Sequence, residues 1–341
     1  MVDFAGWAMP VQYSTITAEH QAVRKQAGLF DISHMGRIEI VGPNAVDWLD
    51  HLLTVDVRSL KLGQVRYTFA CREDGGILDD LLVSRMADRY LLVVNASNRE
   101  KILDWLHQHA RTGASAVDQT LHTGMIALQG PRAWEILRGL VPDEVGQLKN
   151  YRTWESAGDG VISRTGYTGE DGFEWILPAA RVGEVWDRLL SEGQTRGLAP
   201  CGLGCRDTLR LEAAMPLYGH ELSENIDPLT AGLGFAVHLD GRSFIGQPAL
   251  AAVRAAGFSR TRVGILLAGR RIAREHSPVL SSGQIVGEVT SGTFSPTLEQ
   301  SLAMAYVNTA VASPGQEIAV SIRGSNEPAQ IVKLPFYSRK P

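Results

Sequence analysis

Asp79 and Asp80 stand side by side in an aliphatic run, Ile77-Leu78-Asp79-Asp80-Leu81-Leu82-Val83, just after the turn signal Gly75-Gly76. Side chains alternate along a strand, so Ile77, Asp79, Leu81 and Val83 face one way and Leu78, Asp80 and Leu82 the other. Each aspartate therefore has apolar neighbours. At least one is expected to be desolvated with a raised pKa, or paired with a donor. A carboxylate held in that way can serve as a general base or orient a reacting N–H. Alternation does not say which of the two does so.

A second constellation lies at 160–222. Gly169-Glu170-Asp171-Gly172 reads as a hairpin turn, since glycine and aspartate tolerate the angles of a tight reversal. The strand leaving it is Phe173 to Leu177, with Phe173, Trp175 and Leu177 on one face and Glu174 beside Ile176 on the other. That placement leaves Glu174 half buried and in need of donors. Arg206 and Arg210 follow four apart on the next helix and hence share a face. Either could pair with Glu174, and Arg206 could instead pair with Asp207 or Glu212.

The elements that must position these groups alternate between helix and strand over residues 1–245. Ala18 to Ala27 reads as a helix, Arg37 to Val41 as a short strand, and Pro43 opens a helix towards Leu53. Arg66 to Ala70 and Ile77 to Val83 form a hairpin. Tyr90 to Asn95 is a buried strand, Asn98 to Ala110 an amphipathic helix, and 132–140 another helix. Mixed hairpins and helices predict α+β layers rather than a doubly wound sheet. After about residue 250 the texture changes. Short β-branched segments such as RVGILLA, QIVGEVT and EIAVSI, separated by Gly, Ser and Pro, read as a small β-barrel or jelly-roll-like domain. The expected division is 1–247 and 255–341.

Composition excludes several classes. The chain has 341 residues, 44% hydrophobic and 21% charged, with a net charge of −4. So weak a bias argues against nucleic acid as the main partner. No apolar run nears the roughly 18 residues that span a membrane, and no basic stretch followed by an apolar core marks a signal peptide. Cys71, Cys201 and Cys205 are too few and too irregular for a disulfide framework or a zinc site and read as small core residues, which fits a reducing cytoplasm. The phosphate-binding glycine motifs are absent. His107 and His109 read as solvated surface.

Set in order, nine segments resemble those of one family, the T protein (aminomethyltransferase) of the glycine cleavage system. They are FAGWAMPVQY at 4–13, LFDISHMG at 29–36, GGILDDLLV at 75–83, ALQGP at 127–131, GYTGEDGFE at 166–174, LGCRDTLRLEAAMPLYGHEL at 203–222, REHSPV at 274–279, TSGTFSPTL at 290–298 and LPFY at 334–337. The resemblance implies a three-domain cloverleaf, two interleaved α/β domains and a barrel, with folate at the centre. It implies transfer of the methylene carbon of an aminomethyl group from the lipoyl arm of H protein to tetrahydrofolate. The products are 5,10-methylenetetrahydrofolate, ammonia and dihydrolipoyl H protein, with neither metal nor flavin.

The resemblance also distributes roles. Asp80, second aspartate of G-G-x-x-D-D, is placed against the reacting folate nitrogens as catalytic residue, and Asp79 is more structural. Glu174 and Arg206 match the family's folate contacts. One carboxylate can accept two parallel bonds from the amidine-like edge of a pterin, and such charge-assisted pairs are strong. Tyr167 could pack on folate, Asn95 could bond the pterin or cap its loop, and Met35 could line the pocket. Six arginines between Arg254 and Arg274 are candidates for docking an acidic carrier. The resemblance further implies a strand and helix ahead of F-A-G-W, whereas Met1 lies almost on that motif, so either the natural start is upstream or an element packing on the first domain is missing. Two rivals use the same scaffold. One is a folate-dependent demethylase, which generally departs from G-G-x-x-D-D and C-R-D-x-L-R. The other is a non-enzymatic folate-binding iron–sulfur assembly protein, whose cysteine motif is replaced here by Phe244-Ile245-Gly246-Gln247-Pro248.

Overall fold

The chain starts one sheet, leaves it to build a second, and then returns. Strand Ala27–Asp31 belongs to a six-stranded sheet, while Gly36–Val41, Val65–Cys71, Ile77–Arg85, Arg89–Val94 and Ser115–Asp118 build a five-stranded one. Thr123–Gln129 then pairs antiparallel with Ala27–Asp31 and carries the chain back. Thr153–Ser156, Gly160–Ser163, Gly172–Pro178 and Leu198–Pro200 complete the first sheet. The structure, a computed structural model, describes residues 1–339.

Period-2 alternation sorts the side chains of these strands between two cores. On Arg89–Val94, Leu92 and Val94 pack beneath helices Ala45–Leu52 and Arg99–Gln108, against Trp48, Leu49, Ile102 and Trp105. Leu91 and Val93 point the other way, into a seam shared with the six-stranded sheet through Phe30, Met125, Ala127 and Ile176. On Gly172–Pro178 the same rule sends Phe173, Trp175 and Leu177 beneath helix Ala179–Gly193 and leaves Ile176 in the seam. Glu174 shares the parity of Ile176, and Asp80 that of Leu82, which also packs on the seam. Both carboxylates are thereby directed to the junction of the two sheets.

Helix Leu203–Glu212 runs beside helix Ile16–Lys25 at the edge of that seam, with Val23, Cys205 and Leu209 in its core. Helix Gln247–Ala256 leads to a closed six-stranded barrel, Arg260–Leu267 to Ser325–Val332, whose interior is Val263, Ile265, Val279, Val289, Val307 and similar residues. The expected α+β class with a terminal β-barrel is the observed one.

Three local expectations need correction. The helix expected from Ala18 to Ala27 spans Ile16–Lys25, capped by the Thr15 side chain; Gln26 leaves helical geometry, and Ala27 opens a buried strand whose apolar residues look equally helical in sequence. Gly169–Gly172 is not a tight reversal, because strand pairing puts Ser163 opposite Glu174, and 164–171 form a long loop before strand Gly172–Pro178. The helix expected over 132–140 is only Ala133–Leu137.

Candidate active site

Asp80, Asn95, Met35, Tyr167, Glu174 and Arg206 all line one cavity of about 500 Å³ at the seam. The hairpin of Val65–Cys71 and Ile77–Arg85 supplies the carboxylate end. Its register sets Phe69 opposite Asp80 and Tyr67 opposite Leu82, so Tyr67 and Asp80 share a face. The Tyr67 hydroxyl donates to Asp80 Oδ2 at 2.9 Å. Asn95, just past Arg89–Val94, donates from Nδ2 to Asp80 Oδ1 at 2.7 Å and to Asp79 Oδ1 at 2.8 Å. Its backbone N–H donates to Asp79 Oδ2 at 3.0 Å, and Asn98 Nδ2 donates to Asp79 Oδ1 at 2.6 Å.

Asp79 is thus enclosed and saturated by donors, whereas Asp80 keeps its edge on the cavity. Burial raises both carboxyls above the usual aspartate range. For Asp79 the charge of Asp80 adds to the rise, and bonds from Asn98 and Asn95 oppose it. For Asp80 the opposing groups are the Tyr67 hydroxyl and the Asn95 amide.

Glu174 is more deeply buried than half, because every residue of Gly172–Ile176 is enclosed. Oε2 accepts from the Thr165 hydroxyl. Burial raises its carboxyl, offset by that bond and by the positive charge of Arg206. No ion pair joins Glu174 to either arginine among the described residues. Arg210 instead pairs with Glu221 at 2.8 Å and Asp207 at 2.8 Å and reaches Ser291 on the barrel at 2.9 Å. Glu212 pairs with Arg24 at 2.8 Å. The partners that could have absorbed Arg206 are therefore occupied elsewhere. Arg206 lies over the Tyr167 ring, 4.8 Å from its centre, and makes no ion pair among the described residues. Burial lowers the proton affinity of its guanidinium. Tyr167 is fixed by donating its hydroxyl to the Pro216 carbonyl. Met35 packs on the seam core.

Sequence reasoning missed Tyr67, Thr165, His34, Phe235 and the strap Leu334-Pro335, all on the same cavity. For Tyr67 the signal existed: pairing Val65–Cys71 with Ile77–Arg85 puts it on the face of Asp80. The others come from loops and chain ends, where periodicity is silent. Of the six arginines, Arg254 pairs with Asp240, Arg271 with Glu327, and Arg262 donates to the Ala214 and Ala231 carbonyls. Cys201 and Cys205 are buried beside Glu19, whose carboxylate takes the backbone N–H groups of Tyr13, Ser14 and Gly202.

Two interleaved sheets with a barrel against them, enclosing an acidic and aromatic cavity, define a three-lobed α+β protein with that cavity at its seam. Residues 1–241 match the family model described as GCVT N-terminal domain, and residues 260–338 the glycine cleavage T-protein C-terminal barrel domain. An aminomethyltransferase of Moorella thermoacetica is 50% identical over 346 residues, 99% of this chain and 94% of that protein. One of Symbiobacterium thermophilum is 47% identical over 349 residues, 99% of this chain and 93% of the relative. The crystal structure of glycine cleavage system aminomethyltransferase T from Bartonella henselae superimposes with a TM-score of 0.92 at 36% identity, covering 98% of this chain and 93% of that one. The chain belongs to the glycine cleavage T-protein family.

Proposed function

We propose that the seam cavity is where tetrahydrofolate receives a one-carbon unit. The activity is that of a tetrahydrofolate-dependent aminomethyltransferase of the glycine cleavage system. The methylene carbon of an aminomethyl group passes from the lipoyl arm of H protein to the folate, leaving ammonia and the dihydrolipoyl carrier. Glu174 accepts the adjacent N–H donors of the pterin, a role that suits a buried carboxylate with Thr165 as its one donor among the described residues. Arg206, stacked on Tyr167, adds a cation that pairs with no carboxylate among the described residues. Asp80 faces the folate amine, draws its proton and directs its lone pair at the incoming carbon. Tyr67 and Asn95 hold the Asp80 oxygens in place for this. A cytoplasmic setting suits the three free, buried cysteines.

The observation that carries this reading is the meeting, in one cavity, of a donor-held aspartate, a buried glutamate and an arginine with no ion pair among the described residues, on three separate elements. The test mixes the purified chain with tetrahydrofolate and an aminomethylated lipoyl carrier and assays methylenetetrahydrofolate, with methyl-sulfonium and methoxyaryl donors run alongside. Product from the carrier alone is expected. Product from a methyl donor but none from the carrier overturns the assignment.

A further inference from the structure

His34 sits in the loop between Ala27–Asp31 and Gly36–Val41, and no part of the function above uses it. Its ring is buried, touches Phe4 edge-on at 5.4 Å, and makes no hydrogen bond among the described residues. Nδ1 is enclosed without a partner. An orphaned buried N–H is rarer than an orphaned acceptor, so the proton belongs on Nε2, which makes Nε2 a donor.

The position of this ring gives the donor a purpose. The seam cavity adjoins a second one of about 500 Å³ against the barrel, and both are lined by Phe4, His34, Tyr167, Arg206 and Leu217. Asp80 and Glu174 line only the first. The second carries Arg206, Arg210 and Arg274, while its acids are paired, Glu275 with His220 at 3.0 Å and Asp207 with Arg210 at 2.8 Å. The shared wall therefore presents donors, Arg206 and His34, and no carboxylate. Such a wall suits an atom that gains negative charge. The folate amines are the opposite case, since their N–H groups need an acceptor, which Asp80 supplies.

Resting on the aminomethyl-transfer reading, we propose that His34 is a further catalytic residue, donating a hydrogen bond from Nε2, beside Arg206, to the departing sulfur of the donor arm. In that step the carbon–sulfur bond breaks and its electron pair goes to sulfur. The carbon–nitrogen bond of the aminomethyl group also breaks, its electron pair going to the departing nitrogen, and two carbon–nitrogen bonds form to the folate. Of the two protons the folate amines lose, one ends on the thiol and one on the departing ammonia. His34 donates a hydrogen bond and keeps its proton. Burial, with the guanidinium groups of Arg206 and Arg37, holds the imidazole neutral, its pKa down at about 3, so it is no general acid at neutral pH.

The test compares His34→Phe, which fills the space without a donor, and His34→Gln, whose amide can donate at similar reach. Single-turnover transfer from the aminomethylated carrier, folate affinity by calorimetry and melting temperature are measured for each. Losing one preorganised donor to a developing anion costs about 100- to 1,000-fold when that donor acts at full strength; a neutral imidazole sharing the charge with Arg206 is expected to cost roughly 10- to 100-fold. His34→Phe should slow transfer by that factor, keep folate affinity within two-fold, and melt no lower than wild type, because an unpartnered nitrogen has gone. His34→Gln should recover most of the rate. Transfer within two-fold of wild type in His34→Phe overturns the proposal. So does a matching loss of folate affinity, which would place the contact on folate, or a lowered melting point without rescue by glutamine, which would make the ring structural. A wild-type chain that transfers nothing from the carrier refutes the aminomethyl reading itself.

Discussion

At the scale of single residues, neighbours of identical type are given different work by their donors. Asp79 takes three bonds from Asn95 and Asn98. An amide there would set a donor against donors, so Asp79→Asn is expected to lower the melting point, by about 1–3 kcal/mol of stability for one buried group left unsatisfied. Asp80→Asn keeps more of its surroundings and is expected to fold near normally, with turnover down about 100- to 10,000-fold as general base assistance is lost. Melting curves and kcat for the two variants check this, and the reverse ranking in turnover at equal folding would move the catalytic role to Asp79. The hydroxyl of Tyr67 stabilises the charged form of Asp80, so removing it raises the carboxyl further. A base must be ionised to act. Tyr67→Phe should therefore shift the acid limb of the kcat/KM profile to higher pH, and a shift to lower pH would show that the bond is not made to the ionised group. The sequence carried the doublet and its faces, but not which aspartate is saturated, because Asn95 and Asn98 arrive from another strand and its following turn.

Among the elements, helix Leu203–Glu212 shows how one surface is divided between site and scaffold. Arg206 and Arg210 share a face, as their spacing requires, yet only Arg206 is left for a ligand. Arg210 and Glu221 form a pair enclosed on both sides. Breaking such a pair by removing one partner typically costs about 3–5 kcal/mol, since the other charge stays buried. Arg210→Ala should thus melt several degrees lower. Arg206→Ala should melt near wild type and instead weaken folate binding, which calorimetry reads directly. Equal melting losses in the two variants would erase the distinction. Sequence spacing could not draw it, because Glu221 and Ser291 come from a loop and from the barrel. The same non-locality hid strand Ala27–Asp31, whose partners Thr123–Gln129 and Leu198–Pro200 lie far along the chain, and turned an expected tight hairpin at 169–172 into a loop.

In the whole molecule, the barrel was legible as short β-branched segments, but interleaved sheets are a matter of long-range pairing that periodicity does not encode. What holds the parts around the cavity is polar and buried. Arg24 bridges Glu170 and Glu212 and lies 4.0 Å over the ring of Tyr337, and His20 reaches Thr208 on one side and Thr297 on the other. These bonds tie helix Ile16–Lys25 to the loop before Gly172–Pro178, to helix Leu203–Glu212, to the barrel and to the terminal strap. A cavity walled by every part of the chain exists only in the folded state. Tetrahydrofolate should therefore stabilise the free protein with no carrier present, by about 2.7 kcal/mol at a free concentration near 100 times its dissociation constant. That is expected to appear as a melting shift of a few degrees, measured under reductant and without oxygen, with Glu174→Gln as control. The control should shift less, because its amide presents one acceptor where the carboxylate presents two. A wild-type curve left unmoved by saturating folate would contradict a preformed site. An equal shift in the control would put the pterin grip on residues other than Glu174.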